Sequence, residues 1–346
     1  MVTIKEVARR AGVSPATVSR VVNGQPLVAD HVRDRVLEAI RDLNYRPNRV
    51  AQRLRAEESH LVGVILSDIK NPFYTLVLSG IEQVLSGQGL SVLICNSNMH
   101  QERENGFISH MQSEGVAGLI VAPVKEQSAV LADAVKNGLP AVIVDRRMSK
   151  PITDVVLADN HNGVLLAIEH FVALGHRRIG ILNGPQSLTS GRERYAGFQQ
   201  AMAEAGLPIE DALVRFGDYQ LETGYTLMRD LLETAAYPLA LFVANNLMTI
   251  GALNAIHDMG LAIPGDVAII GFDDLPWANS LNPPLTTVSQ PAFEIGVHAA
   301  ELLLNRLAFP DRPVRAVVLG VDLIVRASCG SAINTQSRLR PPYPGG

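Results

Sequence analysis

From residue 61 to residue 272 the chain alternates short apolar runs with amphipathic stretches, and this alternation most constrains its fold. Residues 61–66, 91–94, 118–121, 141–144, 178–182, 239–243 and 267–272 read as buried strands. Helical stretches separate them, among them 73–86, 102–114, 162–174, 193–205 and 248–259. Parallel sheets covered on both faces give this pattern, because each parallel crossover needs a connecting element. About 270 residues are too many for one such sheet, which predicts an α/β body of two lobes. Ligands of such sheets sit beyond the carboxyl ends of the strands or between lobes.

The first 55 residues follow a different rule. Thr3 and Glu6 form a T-x-x-E capping box, which predicts a helix from Ile4 with Val7, Ala8 and Ala11 along its buried stripe. Gly12 suits the left-handed residue that ends it. Ser14 then caps a second helix with Pro15 at its first position, where proline's missing N–H costs nothing. Val18, Val21 and Val22 give that helix an apolar side, and Thr17, Ser19 and Arg20 lie on or near the other. A third helix carries Val32, Val36, Leu37, Ile40 and Leu43 at helical spacing. The pattern fits a helix-turn-helix, and equally a plain three-helix bundle with a solvated charged face.

Charge separates the two parts. Residues 1–60 hold eleven cations and seven anions, a surplus of four, whereas the whole chain carries −4 and the remainder therefore −8. A basic end on an acidic body is the asymmetry expected when one end meets phosphate.

Two runs carry a specific resemblance: Val13-Ser14-x-x-Thr17-Val18-Ser19-Arg20-Val21-Val22-Asn23, and Asn44-Tyr45-x-Pro47-Asn48-x-x-Ala51-x-x-Leu54. Their sequence and separation resemble the headpiece of the lactose-repressor/galactose-repressor (LacI/GalR) family of bacterial transcription regulators. The resemblance implies a helix-turn-helix headpiece over 1–47 (motif 4–23) and a hinge helix within 48–58. It also implies a two-lobed body over 59–330 that resembles periplasmic sugar-binding proteins. One lobe would comprise 59–160 and 291–322, the other 161–290 and 323–330, and a flexible tail would occupy 331–346.

Roles follow by position. Pro15, Ala16 and Arg20 fall where the family reads base edges, and Ser14, Thr17 and Asn23 where it positions the backbone. A guanidinium can pair bidentately with guanine, so Arg20 suits direct readout. Ser19, Tyr45, Asn48 and Ala51 complete the expected DNA-binding set. Leu54 matches the family's minor-groove wedge, which unstacks a base step.

In the body, several polar clusters stand where predicted strands end. They are Asn71-Pro72-Phe73-Tyr74, Asp145-Arg146, Asn245 and Asp273-Asp274, together with Tyr219 and with Arg194 in Gly191-x-x-Arg194-x-x-Gly197-Phe198. Carboxylates, amides, guanidiniums and aromatic faces together suit a polyol. The resemblance places Phe73 or Tyr74, Arg146, Arg194, Tyr219, Asn245 and Asp273 at effector-lining positions. The family's purine-sensing branch has arginine where this chain has Leu188, which counts against a purine. Trp277, the only tryptophan, fits a ligand stack and a dimer contact equally well.

No Gly-rich phosphate loop or H-E-x-x-H appears, so no enzyme activity, cofactor or metal is expected. Cys95 reads as core within an apolar strand, and two cysteines in all predict no structural disulfide. With no apolar leader and no membrane-length run, the expectation is a cytoplasmic protein without a membrane partner. The expectation for function is a homodimeric repressor that binds a palindromic operator in double-stranded DNA. A small carbohydrate releases it. The alternatives are a corepressor (a purine or a sugar phosphate), or a cytosolic sugar-binding module without DNA function.

Overall fold

The computed structural model describes residues 4–22, 28–43, 59–235 and 239–330. The chain divides into two units, Met1–Ser59 and His60–Gly346. Helices α1 (Ile4–Ala11), α2 (Pro15–Val22) and α3 (Asp30–Asp42) make up the described part of the first. Gly12 takes φ +66° between α1 and α2, a left-handed turn that a Cβ would oppose. Val7, Ala8, Ala11, Val18, Val21, Val36 and Ala39 pack into one small core, and Arg10 pairs with Asp42 at 2.8 Å to tie α1 to α3. Thr3 of the predicted capping box lies outside the described residues. One correction applies to α3: Leu37 is exposed and Ala39 takes the buried place, because 36, 39, 40 and 43 share the inner face.

The second unit contains two six-stranded sheets. Sheet A joins β1 (Leu61–Leu66), β2 (Ser91–Asn96), β3 (Gly118–Val121), β4 (Ala141–Val144), β5 (Asp154–Ala158) and β11 (Ala316–Leu319) in the order β11-β5-β4-β3-β1-β2, all parallel. Sheet B joins β6 (Ile179–Asn183), β7 (Val214–Phe216), β8 (Leu239–Val243), β9 (Val267–Phe272), β10 (Thr286–Ser289) and β12 (Asp322–Ile324). Its order is β12-β10-β9-β8-β6-β7, parallel except for β12 against β10. The central strands β1, β3, β4, β8 and β9 are buried almost throughout, as strands covered on both faces must be.

Among the described residues, eight helices cover the sheets: α4 (Pro72–Ser86), α5 (Gln101–Ser113), α6 (Ala129–Lys136), α7 (Asn160–Ala173), α8 (Thr189–Glu204), α9 (Leu221–Thr234), α10 (Asn246–Asp258) and α11 (Ala292–Ala308). The chain passes between sheets three times: after β5, after β10 and after β11. Glycine makes the tightest packing possible. A Cβ at Gly80 of α4 would stand 2.1 Å from the Phe293 carbonyl oxygen, and one at Gly296 of α11 would stand 2.0 Å from that of Val77. The buried carboxylate of Asp154 binds Arg306 and Arg312, fastening α11 and the following loop to β5.

Cys95 is a second correction. β2 is an edge strand, so this thiol is half-buried rather than core, whereas Cys329 is fully buried; the two form no disulfide.

Candidate functional site

The strand ends of both sheets face one cleft. Its cavity is lined by Ser67, Asp68, Asn71, Phe73, Tyr74, Met99, Asp145 and Arg146 from the sheet A side. Ser190, Arg194, Asp218, Tyr219, Gln220, Asn245, Asp273 and Gln290 complete it. The seven positions singled out as effector-lining, Phe73, Tyr74, Arg146, Arg194, Tyr219, Asn245 and Asp273, all border this cavity. Trp277 and Leu188 do not: Trp277 is half-buried in a short 3-10 turn, and Leu188 is buried just before α8.

Local backbone explains how these side chains are aimed. Met99, Asp145, Tyr219 and Asp273 all have positive φ, at 59°, 70°, 69° and 79°. Non-glycine residues adopt this conformation only at a cost, and such strain concentrates where function requires it. Here it turns the chain within three residues of the ends of β2, β4, β7 and β9, and all four of these residues line the cavity. Asn245 supports one of these turns: its Nδ2 donates to the Tyr219 carbonyl at 3.0 Å, while its Oδ1 accepts from Met248 N at 2.9 Å and caps α10. Its amide is thus engaged within the protein, and Asn245 borders the cavity as a brace.

The two guanidiniums are both buried. Arg194 lies 3.7 Å above the centroid of Phe272, donates from Nε to Asn160 Oδ1 at 2.9 Å, and donates from Nη1 to the Ala244 carbonyl. Arg146 donates to the Pro123 carbonyl at 2.8 Å, and its Nε stands 3.2 Å from Asp145 Oδ2. Burial works against the Arg146 charge, yet Tyr74, Asp145, Tyr219 and Glu104 hold its pKa above the ordinary arginine value. The Tyr74 hydroxyl donates to Asp145 at 2.7 Å and accepts from Ser67 at 2.6 Å. Burial and the neighbouring Asp145 charge push that phenol far up. Burial also raises the Asp273 carboxyl, against the pull of Arg194 and of hydrogen bonds from Gln290 and Asn246.

Polar bridges span the cleft on two sides. Asn246 Nδ2 donates to Asn71 Oδ1 at 2.8 Å, and Gln220 Nε2 donates to Asp68 Oδ2 at 3.2 Å. Elsewhere Glu126 accepts from the Thr189 hydroxyl at 2.5 Å and from Arg192 at 2.8 Å, and Arg147 N donates to Thr189 Oγ1 at 3.1 Å. Asp68, Ser190, Gln220, Gln290 and Glu126 were not singled out in the sequence. Asp68, two residues past a clear strand, carried the best signal; the others depend on partners far away in the chain.

In the first unit, the start of α2 presents Ser14, Pro15, Ala16 and Arg20 as exposed residues, with Thr17 half-buried. Ser14 Oγ accepts from Thr17 N at 3.1 Å, the capping bond expected there. The Ser19 side chain and residues Asn23, Tyr45, Asn48, Ala51 and Leu54 lie outside the described residues. Among the described residues, no group of three or more His, Cys, Asp or Glu could hold a metal ion, and no helix is long and apolar enough to cross a membrane.

Comparison with known proteins agrees with both units. Residues 3–48 match the bacterial regulatory proteins of the lacI family, and residues 168–329 match a periplasmic binding protein-like domain. The HTH-type transcriptional repressor PurR of Haemophilus influenzae (strain PittEE) is 34% identical over 338 residues, covering 96% of this chain and 100% of its own. The lac repressor dimer bound to operator and the anti-inducer ONPF aligns with a TM-score of 0.85 at 31% identity, covering 95% of this chain and 99% of its own. A transcriptional regulator CelR–cellobiose complex aligns with a TM-score of 0.72 at 31% identity, covering 95% and 100%. The chain therefore belongs to the LacI family of bacterial regulatory proteins, as a DNA-binding transcriptional repressor.

Proposed function

We propose that this repressor acts in the cytoplasm as a homodimer on a palindromic operator, and that a small carbohydrate bound in the cleft releases it. The observation that carries the effector reading is the convergence of hydrogen-bonding carboxylates and guanidiniums with Phe73, Tyr74 and Tyr219 in one cavity built from both sheets. Hydroxyl groups satisfy such polar forks, and aromatic faces suit the C–H surface of a sugar ring. Because residues of both lobes line the cavity, a ligand there binds one lobe arrangement better than another, as a population shift demands.

At the other end, the start of α2 enters the major groove, with Arg20 reading bases, Pro15 and Ala16 supplying apolar contacts, and Ser14, Thr17, Ser19 and Asn23 near the backbone. Tyr45, Asn48 and Ala51 complete the surface, and Leu54 of the hinge wedges into the minor groove. A two-fold dimer matches a two-fold operator.

The names of PurR relatives favour a second reading, a purine corepressor that strengthens operator binding. One experiment separates the two. Operator selected from a random duplex pool is titrated with the protein, with and without neutral sugars and purine bases. Release by a sugar supports the first reading, tightening by a purine base supports the second, and no selected sequence at all rejects both.

A further inference from the structure

We propose that the cleft admits an uncharged or amino-bearing ligand rich in hydrogen-bond donors and rejects anionic ones, with Asp68 and Asp218 setting that preference. The inference rests on reading the cleft as the effector site and goes further by fixing the charge class of the effector.

Two independent features support it. The first is charge: Asp68, Asp145, Asp218 and Asp273 border the cavity, against only Arg146 and Arg194. Arg146 stands beside Asp145, and Arg194 acts on Asp273, so each guanidinium has one carboxylate to offset. Asp68 is buried and Asp218 is exposed at the rim, and among the described residues no salt bridge pairs either with a cation. A phosphate or carboxylate entering here meets that surplus, and like charges brought together in a partly dry site oppose binding.

The second is the direction of hydrogen bonding. The protein's own donors in the cavity are largely turned onto protein acceptors. Arg146 gives its Nη1 to the Pro123 carbonyl, and both its terminal nitrogens lie 3.7 Å from Met99 Sδ. Arg194 gives Nε and Nη1 to Asn160 and Ala244. Gln220 donates to Asp68, Gln290 to Asp273 and Tyr74 to Asp145. The carboxylate oxygens retain acceptor capacity, since an ionised carboxylate takes about four hydrogen bonds. A ligand that brings donors, as hydroxyls and amines do, fits this set. An acceptor-only anion does not.

The test is calorimetric titration of the full-length protein at fixed ionic strength with matched series. These are D-glucose, D-galactose and D-ribose, with their amino, terminal-phosphate and carboxylic-acid derivatives, alongside adenine, guanine and their 5′-monophosphates. Every measurable binder is expected to be neutral or aminated, with each anionic derivative about tenfold or more weaker than its parent. In Asp218→Asn, whose exposed position spares the fold, and in Asp68→Asn, that gap is expected to narrow. An anionic derivative that binds as tightly as its parent overturns the proposal. So does an unchanged gap in both variants. If only purine bases bind, the carbohydrate reading fails separately, and the charge rule is judged by each base against its monophosphate. Silence across every series counts against both.

Discussion

The Arg194 guanidinium stacks on Phe272 at 3.7 Å while its edge binds the Asn160 amide oxygen at 2.9 Å. Phe272 ends β9, and Asn160 begins α7 just after the chain crosses between sheets. One planar side chain thus ties the cleft cavity to a crossing strand. Arginine combines this stack with directed N–H donors, which a lysine ammonium cannot reproduce.

Arg194→Ala is therefore expected to retain operator binding and lose its response to effector. Arg194→Lys should fall close to the alanine variant rather than to the parent. Operator titrations with and without effector check this, and normal release in either variant contradicts it.

Glu126 bridges the cleft outside the cavity, through Thr189 and Arg192. Glu126→Gln should weaken this bridge and raise hydrogen exchange at the crossings near residues 159, 290 and 320, without touching the ligand. Each hydrogen bond to a charged group contributes about 1.5–3 kcal/mol, enough to shift a lobe equilibrium several-fold or more. Unchanged exchange at all three crossings would show that the bridge holds nothing.

Stability carries a signature of Asp273. Its folded pKa is raised by burial, so the native state binds more protons than the unfolded chain above the unfolded carboxylate value of about 3.8. Stability from this group is fully retained at lower pH and declines as pH rises from there through the raised pKa. Asp273→Asn should remove this component, so that its unfolding midpoint rises relative to the parent as pH increases from about 4 to 8. Parallel pH profiles for the two proteins would refute the assignment.

The contact between α4 and α11 gives a purely structural prediction. Gly80→Ala would drive a methyl group into the Phe293 carbonyl oxygen, whose backbone position leaves little room to yield. A loss of about 1–3 kcal/mol or more is expected in denaturant unfolding. Full stability would mean that the helices separate at little cost.

The strands of the sheet centres were legible because burial on both faces leaves continuous apolar runs, as in 61–66 and 267–272. Site residues immediately after such runs, Asp145, Arg146 and Asp273, were legible for the same reason: a parallel strand's carboxyl end marks the cleft. Long-range pairing left no local mark. Gln220 reaches Asp68 across 152 positions, and Asn246 reaches Asn71 across 175, so neither bridge appears as spacing. Asn245 shows the converse: its place in the cavity was readable, but its employment by Tyr219 and Met248 was not. Leu37 belongs to the apolar repeat read in α3 but is exposed, because the inner face runs through 36, 39, 40 and 43 and turns 37 outward.

The central claim is that occupancy of the cleft and occupancy of the operator are coupled. Its most direct measurement is operator affinity as a function of effector concentration, paired with effector affinity on free and operator-bound protein. The account predicts that effector weakens operator binding and that operator weakens effector binding by the same factor. Operator affinity that stays constant while the cleft saturates would contradict it.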